Sequence, residues 1–555
     1  MSLEEVFKMK AISRTIVSAV VLCLIAAMQT ITTATTSLPS SVDNSKFKYL
    51  RPVYNHLGHA CGFASGIGYA FTYEMAAIRD LDAHDSANQY SYLYPYHFYN
   101  DGLDSMWTDD YTLAFDIIKA NGIPNCVDQG GFESGFPTKW VTGYDKYYRG
   151  MHNRMIDYFP IKLTTVEGLQ KAKQWLYNHG NGSSQGGLLL FSIYCLGIQE
   201  GILSLGTPFG NSKIVTQFGM GHPHSMTIVG YNDSVRFDIN RDKKYTNDVD
   251  INEDNKVDMQ DWEIGAFKIL NSWGPSYGDS GFIFAPYRLF ATPVDNYGVG
   301  RDNQVFGMHV TKDFIPKLTI KATITNTARN DLKIYAGVSD KIDAVAPDKK
   351  KSFGGLFNFA GGAFPMEGKN RSSTLEIGLD ITDLWDSIGG KPGKFFLIVE
   401  SKAVGGTVDS MSVLEYSSTS KEPIRVLNLD QKAVAIVPNS TLNLGVVSTL
   451  PQSIKKRSQL INNTCFSISP NPVTSSGTVQ FAIQPQHESS ATLSIMTPAG
   501  KVIARKTWNK GAKDYLQWNL KNSSTPLSCG VYITRITVRN YKTGVKEFSG
   551  LMFVK

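Results

Sequence analysis

"HSMTIVGYND", residues 224–233, sets a histidine at the mouth of an apolar strand, and further on "NSWG" (271–274) closes a second strand-like run, "GAFKIL". A histidine at a strand start is held by the sheet while its ring faces a groove, where it can take up a proton and return it. The side-chain carbonyl of Asn271 is suited to accept the imidazole N–H and fix the ring without adding charge, with Trp273 screening that bond from water. Upstream, "NHLGHACGFASGIGYAFTYEMAAIRD" (55–80) predicts a packed helix with Cys61 in its first turn, despite the cost of Gly66 and Gly68. Backbone N–H groups and the positive end of the helix dipole favour a thiolate there. The bland alternatives are a buried filler cysteine and a satisfied surface histidine, and neighbouring His222 reads as one of the latter.

Taken together, Cys61, then His224 followed by Gly230 and Tyr231, then "NSWG" and "GDSGFIF" (278–284), resemble the papain-like cysteine peptidases over roughly residues 50–290. The resemblance implies an α+β papain-like catalytic domain and a secreted endopeptidase acting on protein or peptide substrates. In it the Cys61 thiolate forms an acyl-enzyme, His224 is general base and acid, Asn271 orients His224, and catalysis needs no cofactor. Two departures stand out. Of the C-G-[SA]-C-[WY] signature only Ala60 and Cys61 remain, with Gly58 in the first cysteine position and Gly62 replacing the aromatic. The family's oxyanion glutamine is replaced by Asn55, with His56 beside it, so these two are the candidates to join the Cys61 backbone N–H. The competing reading is a catalytically inactive papain-like surface adhesin that binds through the segment following the catalytic region.

The chain has 555 residues, 42% hydrophobic and 19% charged, enough for several cores. Its net charge of +6 comes without a long Lys/Arg run, which argues against nucleic acid as a partner. "TIVSAVVLCLIAAM" (15–28) follows Lys8, Lys10 and Arg14, and is shorter than the roughly 20 residues a membrane span needs. It reads as a signal peptide, giving a leader over 1–40 and a secreted or cell-surface destination. Cys23 leaves with it; Cys61, Cys126, Cys195, Cys465 and Cys529 remain, an odd number that fits one chemically active thiol.

Residues 45–310 mix helical and strand patterns. "TTVEGLQKAKQWLYNHG" predicts an amphipathic helix ending at Gly180, followed by a buried strand over Leu188–Tyr194. From 311 to 450 short alternating segments predict an antiparallel β-sandwich, 451–464 a polar linker, and 465–555 a small all-β C-terminal domain.

An acidic insert at 236–263 separates the His224 and Asn271 strands. Within "DINEDNKVDMQD", Asp250, Asn252, Asp254, the Lys256 carbonyl, Asp258 and Asp261 fall at positions 1, 3, 5, 7, 9 and 12 of a calcium loop. Asn255 takes the place of the usual glycine. "DINRDKKYTND" repeats the opening with Asp238, Asn240 and Asp242 but has no acidic twelfth position, so it either shares a site or binds weakly. The tandem is similar to dockerin calcium repeats and implies a structural Ca2+ that steadies the strands carrying His224 and Asn271. The alternative is a solvated acidic hairpin.

"FSISPNPVTSSGTVQFAI", "LSIMTPAGKVIA", "LSCGVYITRI" and "EFSGLMFVK" resemble the C-terminal sorting domain of the bacterial type IX secretion system. That resemblance implies the secretion machinery as a partner, then release or surface attachment. A carbohydrate-binding or adhesive sandwich is the alternative. Cys465 and Cys529 are placed to pair inside it in an oxidising compartment.

Overall fold

The computed structural model describes residues 38–101, 110–131, 138–417 and 422–448, and strands between 467 and 554. Most of the leader, with Cys23, the linker, Cys465 and Cys529 lie outside the described residues.

A nine-stranded sheet organises the first half. Its strands run in the order Met155–Lys162, Gln304–Val310, Leu189–Tyr194, Pro223–Arg236, Ile264–Leu270, Phe282–Pro286, Lys213–Gln217 and Gln199–Ile202, with Ser41–Asp43 added against Pro223–Arg236. The strand Pro223–Arg236 changes partners along its length. Its first half pairs antiparallel with Leu189–Tyr194, and its second half with Ile264–Leu270 and Ser41–Asp43. Gly230 permits that last pairing, because a Cβ there would stand 2.1 Å from the Val42 carbonyl oxygen.

Alternation sorts the apolar run around Leu189 between the two faces of the sheet. Leu189, Phe191 and Ile193 join Met226, Phe267 and Ile269 under the helix Val166–Asn178, which contributes Leu169, Ala172, Trp175 and Leu176. Leu188 and Leu190 face the opposite core, where Phe63, Ala64 and Ile67 of the Cys61 helix pack. The Val166–Asn178 helix starts at a Thr165 cap whose hydroxyl accepts from Gly168 N–H, and ends at His179 with left-handed φ, one residue before the expected glycine.

Residues 318–448 form two antiparallel sheets. One holds Thr374–Asp380, Leu318–Thr325, Gly406–Glu415 and Arg425–Asn428, with Val434–Ile436 added; the other holds Lys349–Lys351, Leu332–Ser339, Gly393–Ser401 and Ser440–Ser448. A change of architecture near residue 310 is therefore visible, but the packing is continuous across it. Ile320, Ile377 and Leu397 belong to the same buried cluster as Phe63, Tyr94 and Tyr147. Polar ties cross as well: Tyr144 Oη meets Thr319 Oγ1 at 2.6 Å and Tyr416 Oη at 2.7 Å, and Arg154 pairs with buried Asp380. Beyond 467, Ser467–Ser469, Thr478–Ala482 and Tyr515–Asn519 make one sheet, and Val502–Trp508, Ser489–Met496, Gly530–Asn540 and Gly544–Val554 another.

Candidate active site

The Cys61 helix is built from Cys61–Phe63, a π-helical stretch Ala64–Phe71, and Thr72–Arg79. Its cap residue, Ala60, offers no side-chain oxygen, so the first N–H groups are not claimed by a capping side chain. Cys61 is the first residue and 4% exposed. The two glycines that weaken the helix have steric causes. A Cβ on Gly68 would lie 1.8 Å from Tyr54 Oη, and one on Gly66 2.9 Å from Tyr111 Cβ. Tyr54 uses that space to donate to the Ala64 carbonyl at 2.8 Å, a bond that the widened π turn accommodates. One turn beyond Cys61, Ser65 Oγ donates to the Ser225 carbonyl at 2.8 Å, tying the helix to the residue after His224.

His224 is buried, and its Nε2 lies 2.9 Å from Asn271 Oδ1. An amide oxygen only accepts, so Nε2 carries the proton and the neutral ring keeps its lone pair at Nδ1. Burial pushes the His224 pKa down to about 4; the Asn271 bond works the other way, and the nearby His56 charge adds to the lowering. Trp273 stacks on the imidazole with centroids 4.6 Å apart and planes 26° from parallel. Tyr277 meets Trp273 edge-on at 5.1 Å. Its phenol is held above the ordinary value by burial and by the charge of Glu200.

A short backbone zipper brings the Cys61 segment to this pair. Asn55 bridges Trp273, His56 N–H donates to the Ser272 carbonyl at 2.9 Å, and Gly274 N–H donates to the Tyr54 carbonyl at 3.2 Å. Asn55 is thereby an exposed residue opposite Trp273. The His56 ring also donates through Nδ1 to the Ser272 carbonyl at 2.7 Å, and its centroid is 6.3 Å from that of His224. With Nδ1 committed as a donor, a neutral His56 has only an acceptor at Nε2; it donates there only as imidazolium. His222 is exposed, with φ of 50°. Cys126 differs from a nucleophile, since burial raises its pKa to about 11, and burial raises that of Cys195 too.

The insert leaves and rejoins the sheet at one point, with Arg236 opposite Ile264. Its two loops share one design. Asp242 N–H donates to Asp238 and Asn240, and Lys243 N–H to Asp238; Asp254 N–H donates to Asp250 and Asn252, and Asn255 N–H to Asp250. Lys244 and Lys256 N–H groups reach Asp242 and Asp254 in the same register. Asn255 has φ of 67°, as its glycine-like position requires. Asp261 is buried and receives the N–H groups of Ile251, Asn252 and Asp258. Sequence reading missed Glu263. It is buried and receives Ile239 and Thr246 N–H, the equivalent positions of the first loop, and so does for that loop what Asp261 does for the second. Its only sequence signal is an acid two residues after Asp261. Among the described residues no group of three or more His, Cys, Asp or Glu side chains is gathered to hold a metal. The oxygen donors fit a hard cation in kind and order, and in this structure several of them accept N–H groups of their own loops.

A cleft of about 850 Å³ between the helix Tyr144–Met151 and the sandwich, lined by Tyr148, Arg149 and Tyr416 among others, contains none of these residues.

No protein-family model matches the chain, and no curated protein sequence does so. Solved structures resemble it over about half its length. Xylellain, a cysteine protease from Xylella fastidiosa, matches at 15% identity with a TM-score of 0.31, covering 49% of this chain and 87% of its own. The bromelain protease of Ananas comosus, in complex with the E64 inhibitor, gives 13%, 0.27, 49% and 98%. Recombinant stem bromelain precursor gives 13%, 0.30, 49% and 71%. These neighbours are papain-like cysteine proteases. The likeness is loose, and the chemistry rests on the residues themselves.

Proposed function

We propose that this protein is an exported cysteine endopeptidase with Cys61 as nucleophile, His224 as general base and acid, and Asn271 as the residue that orients His224. The observation that carries the reading is the buried 2.9 Å His224–Asn271 bond under Trp273, on a strand pinned to the Cys61 helix through Ser65. Nδ1 of His224, the nitrogen not committed to Asn271, takes the Cys61 thiol proton as sulfur attacks the scissile carbonyl carbon. Burial makes the resulting imidazolium a ready acid, so it passes the proton to the leaving amine as the C–N bond breaks. Water then attacks the thioester, giving a proton to His224 and releasing the carboxylic acid and the Cys61 thiol. The oxyanion takes the Cys61 backbone N–H, with the Asn55 amide or a protonated His56 as second donor. Turnover of a peptide library, abolished in Cys61→Ser, is the test. An intact, alkylatable Cys61 without turnover favours the adhesin reading instead.

Two further assignments belong to this reading. Ca2+ in the 236–263 loops, held by Asp238, Asn240, Asp242, Asp250, Asn252, Asp254, the Lys256 carbonyl, Asp258 and Asp261, would order the insert and take no part in the chemistry. Residues 465–555 act as a type IX sorting domain that carries the chain to the exterior or the cell surface. The sequence motifs support that address, and a new C-terminus upstream of Ser467 in exported protein would bear it out.

A further inference from the structure

Arg329 is the bulkiest fully enclosed side chain among the described residues, 1% exposed. It opens the short helix Arg329–Asp331 between the strands Leu318–Thr325 and Leu332–Ser339. Its backbone N–H donates to the Phe364 carbonyl at 2.8 Å, and its Nε to the Gly361 carbonyl at 2.7 Å. The guanidinium carbon lies 4.3 Å from the centroid of the Trp140 ring and 5.8 Å from that of Phe364. Gly361 has φ of 88° and makes room for this stack, since a Cβ there would stand 2.6 Å from Trp140 and 3.0 Å from Arg329 Nε.

The stack lies on the seam between the two halves of the shared core. Trp140 N–H donates to the Glu367 carbonyl at 3.0 Å, and its indole N–H to the His97 carbonyl at 2.8 Å. His97 belongs to the helix Leu93–Tyr99, whose Tyr96 and Tyr99 pack against Phe63 of the Cys61 helix.

The charge at this seam is not balanced by the protein. Nη1 and Nη2 of Arg329 are both enclosed, and among the described residues no oxygen accepts from either. Asp331, two residues along, is committed to Ser401 Oγ and to the N–H groups of Lys402 and Ala403. Burial lowers the Arg329 pKa only to about 9, so the group is charged at neutral pH. Attraction to two aromatic faces offsets part of the cost of burying a charge and leaves the outer edge of the guanidinium without acceptors.

We propose that Arg329 holds a small monovalent anion, chloride or its like, which bridges Nη1 and Nη2 and locks the seam between the catalytic half and the sandwich. The enclosure of both nitrogens selects a single ion over part of a larger molecule, and the paired N–H groups of a planar guanidinium suit one acceptor.

Urea denaturation of the full chain in chloride, exchanged against gluconate at constant ionic strength, tests the site. Above the dissociation constant, each tenfold rise in chloride should multiply the folding constant of the wild type by about ten. Arg329→Met should respond less than about twofold, and in gluconate it should be at least as stable as wild type, because the unbalanced charge is gone. A stability gap between the two proteins that is the same in chloride and in gluconate overturns the proposal. A second reading needs no variant: wild-type crystals soaked in bromide should show an anomalous peak within hydrogen-bond distance of Arg329 Nη1 and Nη2. The absence of that peak means that water alone solvates the guanidinium, and overturns the site. A peak without a chloride response in solution is binding at crystal concentration only, and overturns it as well.

Discussion

Gly68→Ala should destabilise the protein, although glycine-to-alanine in a helix interior ordinarily gains about 1 kcal/mol. The added Cβ would stand 1.8 Å from Tyr54 Oη and 2.8 Å from its Cζ. The ring must move, which sacrifices the 2.8 Å bond to the Ala64 carbonyl. Overpacking of this kind costs about 1–3 kcal/mol, and the lost bond with its orphaned carbonyl about another 1–3. After the helix gain, a net loss of about 1–5 kcal/mol remains. Activity should fall too, since Tyr54 precedes Asn55 and His56 and its carbonyl receives Gly274 N–H. Urea denaturation with matched m-values measures the loss, and Tyr54→Phe supplies the control. That change alone should cost about 1 kcal/mol, but in the Gly68→Ala background it should be neutral or stabilising, because the atom at 1.8 Å is gone. A stabilised Gly68→Ala, or strictly additive effects in the double variant, would refute the steric account.

Acid should unfold the protein through its buried histidines. Burial depresses His97 to about 3 and His224 to about 4, so below the ordinary value near 6.5 the unfolded chain takes up protons that the folded one refuses. Stability is complete above that pH and is lost as pH falls toward those values. His97→Gln should flatten the slope of stability against pH by about 1.4 kcal/mol per unit between pH 6 and 4, read from urea midpoints. Asn271→Ala should lower kcat/KM by about 100-fold or more by freeing the imidazole, and Asn271→Gln should recover little of it, since the bond is short and enclosed. Chelating calcium should lower the melting temperature and raise proteolysis within 236–263 while changing kcat by less than about twofold. The insert joins at Arg236, roughly 30–40 Å of strand away from His224. An unchanged melting temperature would exclude a structural ion.

Local chemistry was legible in the sequence. The strand behind His224, the amphipathic helix that stops one residue short of Gly180 and the left-handed Asn255 follow from neighbours a few residues away, and the backbone obeys them. Features decided by distant partners were not. Gly66 and Gly68 read as defects because Tyr111 and Tyr54, which fill their space, lie elsewhere in the chain. The zipper of 54–56 against 272–274, which sets His56 beside His224, leaves no trace in either segment alone. Glu263 was missed because a twelfth position was sought inside the first loop, whereas the fold supplies it from outside. No sequence pattern shows that one buried core runs through residue 310.

The central claim is that Cys61 and His224 act as one unit, and the rate of Cys61 alkylation against pH tests it most directly. Peptide mapping after brief iodoacetamide treatment should find the adduct on Cys61, with Cys126 and Cys195 silent because burial keeps their protons on. Cys61 should react near neutral pH, and His224→Ala should shift its reactivity toward the pH of an ordinary thiol, near 8.5. Labelling of Cys61 that is absent from the folded protein, or identical in wild type and His224→Ala, would contradict the account.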